Sequence, residues 1–414
     1  MSQEASPPLS GPLTGTRIVE FGHFIAAPFA TRVLADMGAE VIKVEPPGGD
    51  PVRSWGAQVN GQSLWWSHHA RNKKCVTLNL KAPEARGLAL ELVEWSDAVV
   101  ENFRPGLMEK FGLGPDDLAA VKPGCPLVRV SGFGQTGPRA MDASFGMIGE
   151  AIGGIRHLTG YPKSESPLPP VRTGVSLGDT VAGLYAAIGL LAVLREQQGT
   201  PPASDAPARV VDVALTESVL SLLEGVLPEY GALDRVRQPT GSRILTAAPS
   251  NAYLCADDAW AIIGANSPPL FAKLMDVIDK AHLVEDSRFS DNAGRIANVE
   301  ALDAEITEWT SARPSSEILS DLEDAGIPSS KIFDAADIVA DTQYQAREAV
   351  RSVTDPLFGQ DILQPAPVPR FTGGPAEAIV WPGPAIGAHN MEVYGEMLGM
   401  SEEQLASLTA AGTI

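Results

Sequence analysis

Alternating strand and helix patterns in the first half of the chain constrain its fold more than any other feature. Residues 16–21 form a short apolar strand pattern, residues 26–37 carry apolar side chains at helical spacing, and residues 41–44 form a second strand pattern. The alternation continues with strands predicted at 75–80, 98–101, 127–131 and 209–213 and helices at 83–95 and 215–227. Because strand–helix–strand units join parallel strands through right-handed crossovers, the sequence predicts an α/β fold with an open sheet.

A second unit is indicated further along the chain. A Pro- and Gly-marked stretch near residues 239–242 separates the first pattern from a new one that starts at about residue 251. This new pattern predicts two short strands flanking Asp257 and Asp258, followed by helices at 268–278, 300–310 and 315–325. A proline-rich tail begins near Asp355 and ends in helices at 390–398 and 401–411. The 414 residues are also more than one small core requires, so two domains are expected.

Composition excludes several classes of partner. The formal net charge is −20, whereas nucleic acids and anionic membranes attract proteins with clustered Lys and Arg, so we expect neither as a partner. Cys75, Cys125 and Cys255 form no CxxC pair, which predicts no disulfide framework and no metal site. Residues 1–12 lack the basic and apolar regions of a signal peptide, so we expect a cytoplasmic protein. The apolar run at 182–193 falls short of the roughly 20 residues that span a bilayer and is interpreted as a buried helix.

Asp179 is the most informative single residue. It follows Gly178 and precedes a long apolar helical segment that carries almost no charge before Arg195. An aspartate in this position is either the N-cap of the helix or a reactive carboxylate held at the positive end of the helix dipole. The residue alone leaves both interpretations open.

Four other segments carry polar groups suited to a ligand. The first strand–helix turn, 21–28, lacks the three glycines of a dinucleotide-binding turn, which disfavours NAD or FAD there. His23 in this turn is either a ligand contact or a partly buried loop histidine. The basic cluster 71–74 is either a phosphate ligand or a solvated turn, and Arg104 is either a phosphate ligand or a capping or salt-bridging residue. The glycine-rich loop 132–138 is weak support by itself.

Together these segments resemble class III CoA-transferases, a family that includes formyl-CoA transferase, carnitine and dicarboxylate CoA-transferases and the related α-methylacyl-CoA racemases. The resemblance runs from about residue 16 to the C-terminus. It is carried by residues 21–28, 36–50, 71–74, 101–106, 132–138, 178–179 and 402–412.

The resemblance implies an architecture that the spacing alone does not show. A large Rossmann-like, CoA-binding domain would be built from residues 1–235 and 346–414, and a small α/β domain from residues 240–345. Two subunits would form an interlocked homodimer. The substrates would be an acyl-CoA and a carboxylic acid, with coenzyme A as substrate and no tightly bound cofactor.

The resemblance also assigns roles to residues. Asp179 would be the catalytic nucleophile, forming a mixed anhydride and then an aspartyl-CoA thioester. For the proposed chemistry, backbone N–H groups at the start of its helix are candidates to stabilise the oxyanions, and Glu150 is either a helper acid or substrate contact, or an ordinary helix-face residue. The CoA site would include His23, Ile25, Ala26, Arg71, Lys73, Lys74, Leu78, Asn102, Phe103, Arg104 and Lys110.

Departures from the family pattern bear on the reaction. Ile25 stands where formyl-CoA transferase has a glutamine, and residues 246–250, at the position of that enzyme's glycine-rich flap, contain no glycine. Racemases pair their aspartate with a histidine at the position of Phe145, and His157 comes too late to replace it. The sequence therefore predicts a CoA-transferase, with an acyl-CoA racemase or isomerase as the alternative. A non-catalytic acyl-CoA-binding protein and a nucleotide-dependent oxidoreductase are further alternatives, and the acyl donor and acceptor stay open.

Overall fold

The computed structural model describes residues 9–373 and 378–414. Residues 1–8, on which most of the signal-peptide argument rests, lie outside this range. The chain forms two compact units. Unit 1 contains residues up to Ile155, Thr173–Leu227 and Gln345–Ile414, and unit 2 contains Arg156–Arg172 and Pro228–Tyr344.

Strands and helices alternate along the chain. The strands are β1 (Arg17–Glu20), β2 (Glu40–Glu45), β3 (Gln58–Val59), β4 (Gln62–Ser63), β5 (Lys73–Thr77), β6 (Ala98–Glu101), β7 (Pro126–Ser131), β8 (Arg209–Ala214), β9 (Ser250–Leu254), β10 (Trp260–Gly264), β11 (Ser329–Lys331), β12 (Val350–Asp355) and β13 (Gln360–Pro365). The α-helices are α1 (Ala26–Asp36), α2 (Leu64–His69), α3 (Ala85–Trp95), α4 (Leu107–Lys110), α5 (Pro115–Val121), α6 (Gly146–Ile152), α7 (Ile155–Leu158), α8 (Leu177–Gly199), α9 (Leu215–Leu220), α10 (Val226–Leu233), α11 (Pro268–Val277), α12 (Asn292–Ala297), α13 (Val299–Thr310), α14 (Ser315–Asp324), α15 (Ala335–Ala340), α16 (Thr342–Ala346) and α17 (Glu402–Ala410). Short 3-10 helices cover Pro51–Ser54 and Ala281–Val284, and a π-helix covers Met391–Met397.

A six-stranded sheet forms the centre of unit 1, in the order β5-β2-β1-β6-β7-β8. Every neighbouring pair in it is parallel, and Val19 in β1 pairs with Ile42 on one side and Val99 on the other. These three side chains are completely buried, as expected for strands covered on both faces. The predicted α/β fold with a parallel central sheet is confirmed.

Helices α1 and α8 pack closely on one face of this sheet. A Cβ atom on Gly183 would lie 2.8 Å from the carbonyl oxygen of Ala26, so glycine is required for this approach. Ala182, Ala186 and Leu190 of α8 join the core beneath. The contact brings the first turn of α8 to the same end of the sheet as the start of α1.

Helix α8 differs from the prediction in length and burial. It spans 23 residues, which makes it long and apolar enough to cross a membrane by length and composition. Eight of its residues are buried in the core of unit 1, while Leu184, Tyr185 and Ile188 are 43, 40 and 61% exposed. The apolar run at 182–193 is therefore part of a longer helix, and only one side of it is buried. The predicted helix 215–227 is also divided, into α9 and the start of α10.

Unit 2 has its own sheet and core. Strand β10 pairs antiparallel with β9 and β11, and α11, α13 and α14 pack around the buried side chains of Phe271, Ile306 and Ile318. Residues 156–172, expected in the large domain, belong to this unit. They are tied to it by the hydrogen bond from Gly241 N to Gly160 O, at 2.9 Å.

Candidate active site

A cleft of about 370 Å³ opens at the carboxyl ends of the parallel strands of unit 1. The strand order reverses at β1, whose neighbours are β2 and β6, and open α/β sheets bind ligands at such a point. The predicted site residues that line the cleft are His23, Ala26, Asn102, Phe103, Arg104 and Asp179.

Asp179 is the third residue of α8, and Ser176 is the residue in the N-cap position. The helix-cap interpretation is therefore wrong. The side chain is half-buried and borders the cleft, with its carboxylate against the backbone of Gly146, the first residue of α6. A Cβ atom at position 146 would overlap Asp179 Oδ2 and lie 2.7 Å from Asp179 Cγ. The absence of a side chain at Gly146 therefore creates the space that the carboxylate occupies.

Three N–H groups at the start of α8 have acceptors within the protein. Leu177 N donates to Val175 O at 2.9 Å, and Thr180 N donates to Ser176 O at 3.0 Å. Gly178 N donates to the Glu150 carboxylate at 3.3 Å, and Glu150 is buried. These three groups are therefore engaged within the protein in this structure. The contact with Gly178 shows that Glu150 supports the backbone immediately before Asp179.

The loops after β1 and β6 are joined at the floor of the cleft. His23 N donates to Asn102 Oδ1 at 2.8 Å, and Asn102 Nδ2 donates to His23 O at 2.9 Å. The Phe103 ring contacts the His23 ring edge-on, with centroids 5.1 Å apart. Asn102 therefore holds the turn that carries His23, and Phe103 fixes the imidazole.

Buried charges support this turn from below. Lys43 Nζ lies 2.7 Å from each of Glu20 Oε1, Gly22 O and Asp50 Oδ2, and Asp50 Oδ1 accepts a hydrogen bond from Phe24 N at 3.2 Å. Burial alone would raise the pKa of Asp50, but Lys43 and His23 outweigh burial and hold this pKa well below its usual range. The backbone of the turn is therefore attached to an ionised, buried network.

Four side chains predicted to contact the ligand are buried within the protein. Arg71 is completely buried and pairs with Asp36 at 2.6 Å. Lys73 is completely buried and pairs with Glu20 at 2.8 Å, and burial lowers its pKa to about 8. Their charges are satisfied within the protein, so they do not form the predicted phosphate site. The side chains of Ile25 and Leu78 are 4% and 1% exposed and belong to the apolar core.

The remaining predicted cations differ in their surroundings. Lys74 is engaged by Glu40 at 2.6 Å and Glu392 at 2.7 Å. Lys110 is exposed at the end of α4 and does not line the cleft. Arg104 lines the cleft, is exposed, and its guanidinium has no hydrogen-bond or ion-pair partner within residues 9–373 and 378–414. It is therefore the cation best placed to meet an anionic group of a ligand.

Comparison with known proteins assigns the family. Residues 13–390 match CoA-transferase family III. The chain belongs to CoA-transferase family III. It is 42% identical over 405 residues to succinyl-CoA–D-citramalate CoA-transferase of Chloroflexus aurantiacus, covering 97% of this chain and 98% of that one. It is 35% identical to the succinyl-CoA–L-malate CoA-transferase beta subunit of the same organism, with 97% and 98% coverage.

A solved structure of a related protein has the same fold. A CAIB/BAIF family protein from Brucella suis matches with a TM-score of 0.82 and 29% identity, covering 94% of this chain and all of that one. The protein described here is therefore an enzyme of CoA-transferase family III.

This family III CoA-transferase has cleft residues that the sequence did not identify as site residues. Phe24 and Phe145 line the cleft with ring centroids 6.2 Å apart, and Ser131, Asp142 and Leu215 complete its wall. Phe145 was noted as the position of the racemase histidine. The structure places it beside Gly146 and hence close to Asp179. No sequence signal links position 146 to position 179, because the two are brought together by the packing of α6 on α8.

Proposed function

We propose that this enzyme transfers CoA from an acyl-CoA to a carboxylic acid through covalent chemistry on Asp179. The observation that carries the proposal is the position of the Asp179 carboxylate, which borders the cleft and fits the space left by Gly146. As the third residue of a 23-residue helix, the ionised carboxylate is favoured by the helix dipole by about 0.3–1 kcal/mol.

The proposed reaction has four balanced steps. The Asp179 carboxylate attacks the thioester carbonyl of the donor, forming a mixed anhydride and releasing CoA thiolate. The thiolate attacks the aspartyl carbonyl of the anhydride, which releases the donor acid and leaves an aspartyl-CoA thioester. The acceptor carboxylate attacks this thioester, giving a second anhydride and CoA thiolate. The thiolate then attacks the acceptor acyl carbonyl, which forms the new acyl-CoA and regenerates the Asp179 carboxylate.

The cleft residues are proposed to hold the CoA portion of the substrate. Arg104 would meet a phosphate group of CoA, because it is a cation on the cleft surface without a protein carboxylate. His23, Ala26, Asn102 and Phe103 would form the surface against which the pantetheine arm lies. Binding energy from these remote groups would position the thioester for attack by Asp179.

The acid substrates are proposed to be short dicarboxylic acids, with succinyl-CoA as the donor. Both relatives from Chloroflexus aurantiacus carry succinyl-CoA in their names, together with citramalate or malate. The high identity and nearly complete coverage support a substrate of the same class for this chain.

We also propose the family architecture and location. The strand order around β1 supports a Rossmann-like domain, and unit 2 would be the small domain. The exposed apolar side chains of Leu184, Tyr185 and Ile188 on α8 would be covered in an interlocked homodimer. The three buried free thiols are consistent with a cytoplasmic location.

Replacing Asp179 tests the mechanism. Asp179→Ala should abolish transfer from succinyl-CoA to a dicarboxylic acid while still binding CoA. The wild-type enzyme incubated with succinyl-CoA should gain the mass of CoA on the peptide that contains Asp179. Transfer activity in Asp179→Ala at the wild-type level would disprove the proposal. Exchange of the α-proton of an acyl-CoA with deuterated water, in the absence of an acceptor acid, would instead favour a racemase.

A further inference from the structure

Unit 2 contains a pocket of about 200 Å³. Its apolar wall includes Ile244, Leu245, Ile296 and Val299, and Arg243 is the one cation among the described residues that line it. The volume is below the roughly 300–1,000 Å³ of sites for drug-sized ligands, so the pocket suits a small molecule.

A buried carboxylate fixes one edge of the Arg243 guanidinium. Arg243 Nε donates to Asp303 Oδ2 at 2.8 Å. The Asp303 side chain is 9% exposed and accepts two more hydrogen bonds, from Asn251 Nδ2 at 2.9 Å and from the Tyr253 hydroxyl at 2.7 Å. These hydrogen bonds fix the position of the Asp303 carboxylate. The carboxylate in turn fixes the orientation of the Arg243 guanidinium plane.

The other edge of the guanidinium remains available. The two Nη atoms of Arg243 form no hydrogen bond in the described part of the chain, and the side chain is 30% exposed. An arginine held in this way offers two parallel N–H donors, the arrangement that binds a carboxylate through two hydrogen bonds.

The charges around the pocket favour a ligand recognised by directed hydrogen bonds. Arg243 and Asp303 together are neutral, so the pocket does not attract anions through net charge. Glu165 also lines the pocket, but it is exposed and its repulsion of an anion is screened by solvent. The apolar wall would contact the carbon chain of such a ligand.

We propose that this pocket binds a small carboxylic acid, whose carboxylate accepts hydrogen bonds from the two Nη atoms of Arg243. Its carbon chain packs against Ile244, Leu245 and Ile296. The binding site itself is independent of the chemistry of Asp179.

Calorimetric titration of the full-length enzyme with glutarate tests the proposal. Arg243→Gln should weaken glutarate binding at least tenfold, whereas Arg243→Lys should weaken it less. Ile296→Phe, which fills the pocket and leaves the Arg243–Asp303 pair intact, should also weaken it at least tenfold. Arg235→Gln, at an exposed arginine of unit 2 that does not line the pocket, should bind glutarate as the wild type does.

Three outcomes would overturn the proposal: no saturable glutarate binding to the wild type, equal affinity of wild type and Ile296→Phe, or glutaramide binding as tightly as glutarate. A crystal structure with glutarate should show a carboxylate on Arg243. The Asp179→Ala variant should retain this binding. Loss of binding in Arg243→Gln together with full transfer activity in Asp179→Ala would refute the proposed mechanism and leave the binding site standing.

Discussion

Adding one methyl group at Gly146 should inactivate the enzyme with little effect on its stability. In Gly146→Ala, the new Cβ would lie 2.7 Å from Asp179 Cγ, whereas carbon atoms in contact are separated by about 3.5–4.0 Å. The Asp179 carboxylate must therefore move by about 1 Å. A displacement of this size typically lowers the rate about 100-fold, which corresponds to about 2.7 kcal/mol of transition-state stabilisation.

The cost to folding should be much smaller. Turning the Asp179 side chain away from its preferred rotamer costs about 0.5–1.5 kcal/mol, and replacing glycine by alanine in a helix returns up to about 1 kcal/mol. The assay is the steady-state rate of CoA transfer from succinyl-CoA to a dicarboxylic acid, measured beside a thermal melt. A fall of about 100-fold in kcat/KM with a nearly unchanged Tm is expected.

The matched control is Gly87→Ala in α3. A Cβ atom at Gly87 meets nothing within 4 Å, so the variant should keep wild-type activity and be slightly stabilised. If Gly146→Ala retained activity within threefold of the wild type while Asp179→Ala was inactive, the packing of the carboxylate against position 146 would have no role in catalysis. A large loss of Tm in Gly146→Ala would show that the methyl group disrupts α6 rather than Asp179.

Two further predictions concern substrate affinity and acid stability. Arg104→Gln should raise the KM for succinyl-CoA about 3- to 10-fold without changing kcat, because one phosphate contact is lost. Lys110→Gln should leave this KM unchanged, and equal effects of the two variants would contradict the assignment. Burial and then Arg32 lower the pKa of His69 from 6.5 to about 3, so the unfolded chain binds the extra proton and stability falls as the pH drops below 6.5. Urea unfolding at pH 4.5 measures this loss of unfolding free energy, and in His69→Gln the loss should be smaller by about 2–3 kcal/mol. An identical loss in the wild type and in His69→Gln would refute the assignment.

The sequence predicted the central sheet well because its strands are short apolar runs. Residues 41–44 and 98–101 are rich in valine and isoleucine. Such apolar runs are typical of strands in a parallel sheet that is covered on both faces. The ends of α8 were missed because polar residues such as Glu196 and Gln197 continue the helix beyond its apolar segment.

The candidate site was predicted less completely, for reasons of geometry. Asp179 and the loops after β1 and β6 were identified because each follows or precedes a recognisable element. The cluster 71–74 was assigned to the CoA site by the family resemblance, and its adjacent charges alone left a solvated turn open. Their partners, Asp36 and Glu20, are reached only across neighbouring elements of the fold. A sequence shows a charge but does not show which carboxylate lies beside it after folding.

The buried network of Lys43, Glu20 and Asp50 has a consequence for altering which acids the enzyme accepts. Removing one member of a buried ion pair costs about 3–5 kcal/mol, because its partner is left charged and unsolvated. Variants with a single substitution among these buried charges should therefore misfold, so that a change in substrate specificity could not be observed. Substitutions are better directed to exposed side chains that line the cleft, such as Phe145, because they leave the buried ion pairs unchanged.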